Sequence, residues 1–367
     1  MGLSAALSLL TLLLALFFGL LLWQWPAAYG YVLMEDTPPE WLGCLMLLVS
    51  AWLYASGLRN RIRARQLAGA LFCAGMVLLA FFVAGEEISW GQRILAFKPP
   101  DYFVRHNIQR ELTVHNLTLP WMRPRRLAFV FMAGYGVMLP ALVLISGSFR
   151  RLMQTCGIPV PPLGSSLGFC VAGLLMMSPV TGTDDELGEL FFAVAIGGSA
   201  VLAAGYEERR GGRVLLQTFS ILVVVSFIAS LLSFHSATER QHLLDVGPLQ
   251  AGLAYEGRGM PLHAAAEYEK LAQYWGTDWS LWVRVIELYY RGGDLERAYW
   301  LASGFLRIHR RERAVYGILV EIAHRWGIHD DVRAQIEEVL SEEPENSFAQ
   351  EALSLVERLA REYRQWP

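Results

Sequence analysis

Two adjacent carboxylates, Glu86 and Glu87, stand in the string GEEISWGQR at the end of an apolar run from Leu67 to Ala84. Acids so placed can ligate a divalent metal, exchange a proton with a substrate, or hold an arginine in an ion pair. Neighbouring residues lie about 100° apart around a helix, so the two cannot face the same partner. If the helix continues through Glu87, at least one must turn inward, where it needs a cation, an arginine or a proton. Arg93 is the nearest partner in sequence and Arg110 a further one, so Glu86, Arg93 and Arg110 form the expected structural ion pairs. Glu86, Glu87 and Glu111 are the candidate catalytic acids.

Three other stretches carry the same chemistry. NIQRELTVHN supplies Asn107, Gln109, Arg110, Glu111, His115 and Asn116; TDDELGEL supplies Asp184, Asp185, Glu186 and Glu189; FHSATERQH supplies His235, Glu239 and His242. The last three share one helical face, and a Glu and a His three apart can ligate a metal, as in di-iron bundles. The candidate metal ligands are therefore Glu87, Glu111, His115, Glu186, His235, Glu239 and His242. A divalent ion there would activate water or polarise a phosphoryl or acyl oxygen. Plainer readings stand beside these: His106 and His115 as hydrogen bonders in a loop, 184–189 as a solvated acidic loop, His235 and His242 as marks of a juxtamembrane helix. Ser89 and Ser236 lack the GxSxG elbow or lysine partner of a serine nucleophile.

The elements that must position these residues follow from hydropathy. With 54% hydrophobic and 18% charged residues over 367 positions, the chain is too apolar for an ordinary soluble protein. Apolar segments at 3–25, 41–58, 67–85, 127–146, 166–181, 189–205 and 214–234 predict about seven transmembrane helices. The fold expected is all-α: a polytopic bundle over 1–234, with a structured outer loop at 86–126, then a helical domain over 235–367. Span 3–25 is read as a retained anchor, because it lacks a positive flank and exceeds a signal-peptide core in length.

The loops 59–66, 147–165 and 206–213 are arginine-rich and share one side in a seven-span topology, which places the N-terminus inside and the tail outside. Loop 86–126, with seven Arg and Lys of its own, is the weak point of that orientation. Eleven of the 13 acidic residues before 235, and all eight histidines, fall on the outer side. Net charge is +3 over 1–234 and −6 over 235–367, and no basic patch interleaves with aromatics, which excludes a nucleic-acid binder. Cys44, Cys73, Cys156 and Cys170 lie in or beside apolar segments without a CxxC pair, so neither a zinc ribbon nor a disulfide framework is expected.

GEEISWGQR followed by NxQxExxxHN resembles the pattern of a group of uncharacterised bacterial multi-pass membrane proteins. Gly85, Glu86, Glu87, Ser89, Trp90, Gln92, Arg93, Asn107, Gln109, Glu111, His115 and Asn116 match, whereas Thr113 stands where the pattern has Asn. The resemblance marks the loop as a site without assigning it an activity. In the tail, LHAAAEYEKLAQ from Leu262, LERAYWLASGFL from Leu295 and DVRAQIEEVL from Asp331 recur at offsets of 33 and 36 residues. With small Ala at the crossings and aromatics at Tyr268, Tyr289, Tyr290, Tyr299 and Trp300, they resemble degenerate tetratricopeptide repeats without the Trp-x-x-Leu-Gly signature.

These features predict a bacterial inner-membrane protein whose periplasmic repeat domain binds a protein partner, in a scaffold or assembly role, with the lipid bilayer as its other partner. The alternative is a metal-dependent hydrolase or transferase at the outer membrane face, acting on lipid-linked or envelope material. A transporter is a third reading, suggested by Pro140 and Pro179 in spans four and five; no charge near mid-span and no inverted repeat support it.

Overall fold

The computed structural model describes residues 1–34, 36–95, 97, 99–106, 112–114, 117, 124–177, 181, 184–233, 237–275 and 279–364. Its elements are helices, grouped in two compact units, Met1–Leu244 and Asp245–Pro367.

The first unit contains α1 (Leu3–Gln24), α2 (Pro26–Val32), α3 (Pro38–Arg63), α4 (Leu67–Glu87), α5 (Gln92–Leu95), α6 (Asp101–His106), α7 (Pro124–Phe131), α8 (Leu139–Ile145), α9 (Gly147–Cys156), α10 (Leu163–Met177), α11 (Asp184–Ala203) and α12 (Glu208–Ser233). A π-helical turn, Met132–Met138, joins α7 to α8. Among the described residues six helices are long and apolar enough to cross a bilayer: α1, α3, α4, the continuous segment Arg126–Ile145, α11 and α12. The seventh expected span, 166–181, overlaps α10, whose described part has 15 residues. That described part is about 22 Å long at 1.5 Å per residue. Residues 178–180, Pro179 among them, lie outside the described residues.

Helix α11 is the centre of the bundle. It packs on α3, α10, α12 and α1 and is buried along nearly its whole length, while α1 and α12 turn apolar faces outward. Leu12, Leu16 and Leu20 of α1, and Ile228, Leu231 and Leu232 of α12, are exposed. Inside, hydroxyls bridge helices across the apolar core: Tyr54 and Tyr135 meet at 3.1 Å, and Tyr135 donates to Ser199 Oγ at 3.2 Å.

The two ends of the bundle differ in chemistry. At one, Arg61 reaches the carbonyls of Gly57, Gly157 and Ala203, Asn60 reaches Ala204, Gln66 reaches Gln154, and the N–H of Ser4 donates to Glu208. Residues from the three arginine-rich segments thus gather together. At the other end lie the start of α3, the end of α4 and the start of α11, with the acidic residues. Cys44 Sγ donates to the Ala84 carbonyl there, at 3.4 Å, tying α3 to α4.

The second unit is built from amphipathic helices. These are the later part of α13 (Ala237–Gly257), then α14 (Pro261–Trp275), α15 (Trp279–Gly292), α16 (Leu295–Leu306), α17 (Arg313–Trp326), α18 (His329–Glu342) and α19 (Ser347–Arg364). From α14 onward each packs on the next, and α17 also packs on α15 and α19. Asp294 caps α16 by accepting the N–H of Arg297, as an N-cap acid should. The core is made of Ala265, Ala298, Ala302 and Ala323 at close approaches, with Tyr268, Tyr289 and Tyr316 filling the larger spaces. Of the aromatics singled out in sequence, Tyr268 and Tyr289 are therefore core, whereas Trp300 is 66% exposed.

Candidate functional site at the acidic end of the bundle

Helix α4 runs through Glu87, so the two adjacent acids do diverge: Glu86 is 5% exposed and Glu87 half-buried. The chain then reverses in a tight turn whose residues Ser89, Trp90 and Gly91 all have left-handed backbone, with φ of 47°, 53° and 76°. Only glycine adopts that conformation freely, and the turn is held by what it delivers. It folds the Trp90 indole back over Gly85, where an added Cβ would stand 2.9 Å from the ring, and sets it edge-on to Phe81 and Phe82.

In that position Trp90 Nε1 donates to Glu86 Oε1 at 2.8 Å, and the N–H of Val114 donates to Glu86 Oε2 at 2.6 Å. Gln92 makes a parallel link, its Oε1 accepting the N–H of Leu112 at 2.8 Å. One carboxylate and one amide on α4 and α5 therefore hold a loop segment that is distant in sequence. The Glu86 bonds described are to neutral N–H donors. Arg93 and Arg110, the expected ion-pair partners, lie outside the described side chains and residues respectively. Glu40 in the first turn of α3 and Glu87 at the end of α4 lie at this same end.

A second buried carboxylate, Asp184, opens α11 at 2% exposure. Its Oδ1 accepts the hydroxyls of Tyr29 at 2.7 Å and Thr181 at 2.8 Å, and its Oδ2 accepts the N–H of Thr181 at 2.6 Å. Burial pushes the Tyr29 hydroxyl well above the usual tyrosine range, and the adjacent Asp184 pushes it further, so it stays a donor. No sequence motif marks this pairing. The acids of TDDELGEL were visible, but Tyr29 sits in a segment without a motif and meets Asp184 only through the fold. Glu186, a proposed ligand, sits half-buried in the first turn of α11.

The described residues contain no group of three or more His, Cys, Asp and Glu side chains placed to hold a metal ion. Of the candidate ligands, Glu87 and Glu186 are described; Glu111, His115 and His235 lie outside the described residues, as do the side chains of Glu239 and His242. What the described part of the site can do chemically is bind N–H and O–H donors with two buried carboxylates. Comparison with family models, curated proteins and solved structures finds no match.

Proposed function

We propose that the protein is a multi-pass membrane anchor that presents a repeat-type helical domain to a protein partner, a scaffold or assembly component of a bacterial envelope. The observation that carries this is the contrast between the two units. The helices of the first leave leucine, isoleucine and phenylalanine side chains exposed along spanning lengths, as lipid-facing helices do. The second packs a large set of apolar side chains into its own core and carries ion pairs such as Arg313–Glu351 on its surface, as a domain in water does.

Supporting the tetratricopeptide-like reading is the succession of helices, each packed on the next and alternate ones in contact. A Tyr–Glu–Arg grouping also recurs there. Tyr268 donates to Glu256, which pairs with Arg284; Tyr289 donates to Glu269, which pairs with Arg297; Tyr290 donates to Glu321, with Arg325 over the Tyr290 ring. In such arrays the face made by alternate helices, here α15, α17 and α19, takes a peptide or helix. In this reading α10 belongs to a seventh span, the N-terminus is inside, the tail is outside, and the buried Glu86 and Asp184 clasps brace the outer end of the bundle.

The test is in two arms. A cysteine introduced at Ser354 should react with a membrane-impermeant maleimide in intact cells; protection there with labelling after lysis reverses the orientation. A photo-crosslinking residue at Gly317, an exposed position on α17 with nothing within 4 Å of its Cβ site, should give one adduct of fixed mass, lost on Arg325→Glu. No adduct at Gly317 or at exposed sites on α15 and α19 would sink the partner reading.

A further inference from the structure

We infer that the arginine-bearing end of the bundle is a headgroup site for anionic phospholipids, built from α9 and the α3–α4 turn. The inference rests on the membrane part of the proposed function, not on the partner or on which side is inside. Helix α9 breaks from the apolar segment Arg126–Ile145 at Ser146, whose backbone is extended and whose Oγ accepts the N–H of Phe149 at 3.2 Å. Its sequence, GSFRRLMQTC, sets Phe149, Leu152, Met153 and Cys156 at i, i+3, i+4 and i+7, a single apolar stripe with Arg150 and Arg151 off it. Met153 is buried on the bundle, whereas Leu152 is 51% exposed. The protein therefore covers only part of the stripe. A helix that keeps an aliphatic flank open beside two arginines, at the end of a spanning segment, suits the boundary between acyl chains and headgroups.

The α3–α4 turn adjoins the end of this helix. Arg61 donates to the carbonyl of Gly157, the C-cap of α9, Gln66 Nε2 donates to the Gln154 carbonyl at 3.4 Å, and a Cβ on Gly69 would stand 2.2 Å from the Gly157 oxygen. Arg63 and Arg65 are exposed in that turn, flanked by exposed Ile62 and Leu67. Arg61 also donates to the Ala203 carbonyl, which brings the α11–α12 turn, with exposed Arg209 and Arg210, to the same end. Nine arginines belong to these three segments, against Glu207 and Glu208, and Glu208 already accepts the N–H of Ser4. Among the described residues the exposed arginines have no ion pair: Arg150 donates to the Val143 carbonyl, Arg151 meets the Ser148 hydroxyl, and Arg210 lies over the Tyr206 ring. Crowded guanidinium groups without counter-ions repel one another, and phosphate oxygens relieve that repulsion while accepting paired N–H bonds. The aliphatic side chains interleaved with them favour a phosphate that arrives with acyl chains over a soluble anion, and anionic lipid is attracted by each basic group near the surface.

The experiment is native mass spectrometry of the full chain released from nanodiscs of equimolar phosphatidylglycerol and phosphatidylcholine, counting the lipids it keeps. Phosphatidylglycerol is expected to be retained over phosphatidylcholine by about tenfold, the scale that attraction to a few basic residues gives. Arg63→Gln with Arg65→Gln should cut that preference several-fold, and adding Arg150→Gln and Arg151→Gln should bring it near parity. Arg307→Gln with Arg311→Gln, which removes the same charge from the second unit, should leave it unchanged. Helicity and melting of each variant guard against misfolding, and the Arg63 and Arg65 pair, exposed in a turn, decides alone if the larger variant does not fold. Inorganic phosphate should fail to displace phosphatidylglycerol; displacement would mark a soluble-anion site and overturn the lipid assignment. Equal retention of both lipids by wild type, or a preference that survives Arg63→Gln with Arg65→Gln, overturns the inference. A chain that does not enter nanodiscs sinks the membrane reading and this inference with it, whereas entry without a preference sinks this inference alone.

Discussion

The carboxylate of Glu86 accepts the backbone N–H of Val114 at 2.6 Å, joining residues 28 apart through one side chain. Its other oxygen accepts the Trp90 indole, so a single buried acid fixes both the turn after α4 and part of the loop beyond it. Glu86→Gln turns an amide NH2 toward one of two N–H donors, which should cost about 1–3 kcal/mol and lower the melting temperature in detergent. Glu87→Gln, on the half-exposed neighbour, should cost less. Equal losses would show that Glu86 does not carry this link.

Tyr29 and Asp184 provide a second comparison at the same end. Asp184→Asn places an NH2 against three converging donors, whereas Tyr29→Phe removes one donor and leaves the two from Thr181. Thermal denaturation should show a drop of about 1–3 kcal/mol for the first and about 1 kcal/mol for the second. The reverse order would refute the arrangement.

Arg61 closes the opposite end. Its guanidinium donates to the carbonyls of Gly57, Gly157 and Ala203, the last two at the C-terminal ends of α9 and α11, where a helix dipole favours positive charge. Arg61→Gln keeps polarity but loses the fork and the charge, and should destabilise the bundle by about 3 kcal/mol. Arg61→Lys should recover only part, because an ammonium lacks the planar geometry to span several carbonyls. Full recovery by lysine would reduce the role of Arg61 to its charge.

Alkali should unfold the C-terminal unit. Burial, with Glu343 second, pushes the Tyr316 hydroxyl up to about 12; burial and Glu269 push Tyr289 higher still, and burial and Glu256 do so for Tyr268. An unfolded tyrosine loses its proton near pH 10. Above that pH the unfolded state has shed protons that the folded state keeps, so stability falls as pH rises from about 10 toward 12, by up to about 1.4 kcal/mol per unit for each tyrosine. Below pH 10 the contribution is intact. Tyrosinate absorbance and helical ellipticity should change together across that window; tyrosines that ionise near pH 10 while the helices persist would contradict it.

Much of the architecture was legible because membrane-length helices are written locally. Runs such as Leu67–Ala84 have no charge to accommodate and no polar backbone alternative, so hydropathy alone locates α4, and the boundary of α1 falls within a residue of the expected one. The amphipathic tail was legible for a related reason: a period near 3.6 with alanines at crossings demands helices buried on one face.

The sequence by itself determined that two carboxylates at a helix end must part company and that one of them must be enclosed, because residues 100° apart cannot share a neighbour. It did not determine which one, or what would satisfy it. Only the tertiary structure put Glu86 inside and supplied Trp90 and Val114 as donors, and only it brought Tyr29 to Asp184 across 155 residues. The reason is that helix periodicity is local, whereas the partners of a buried charge come from whichever backbone and hydroxyl groups the packing of distant helices leaves within about 3 Å.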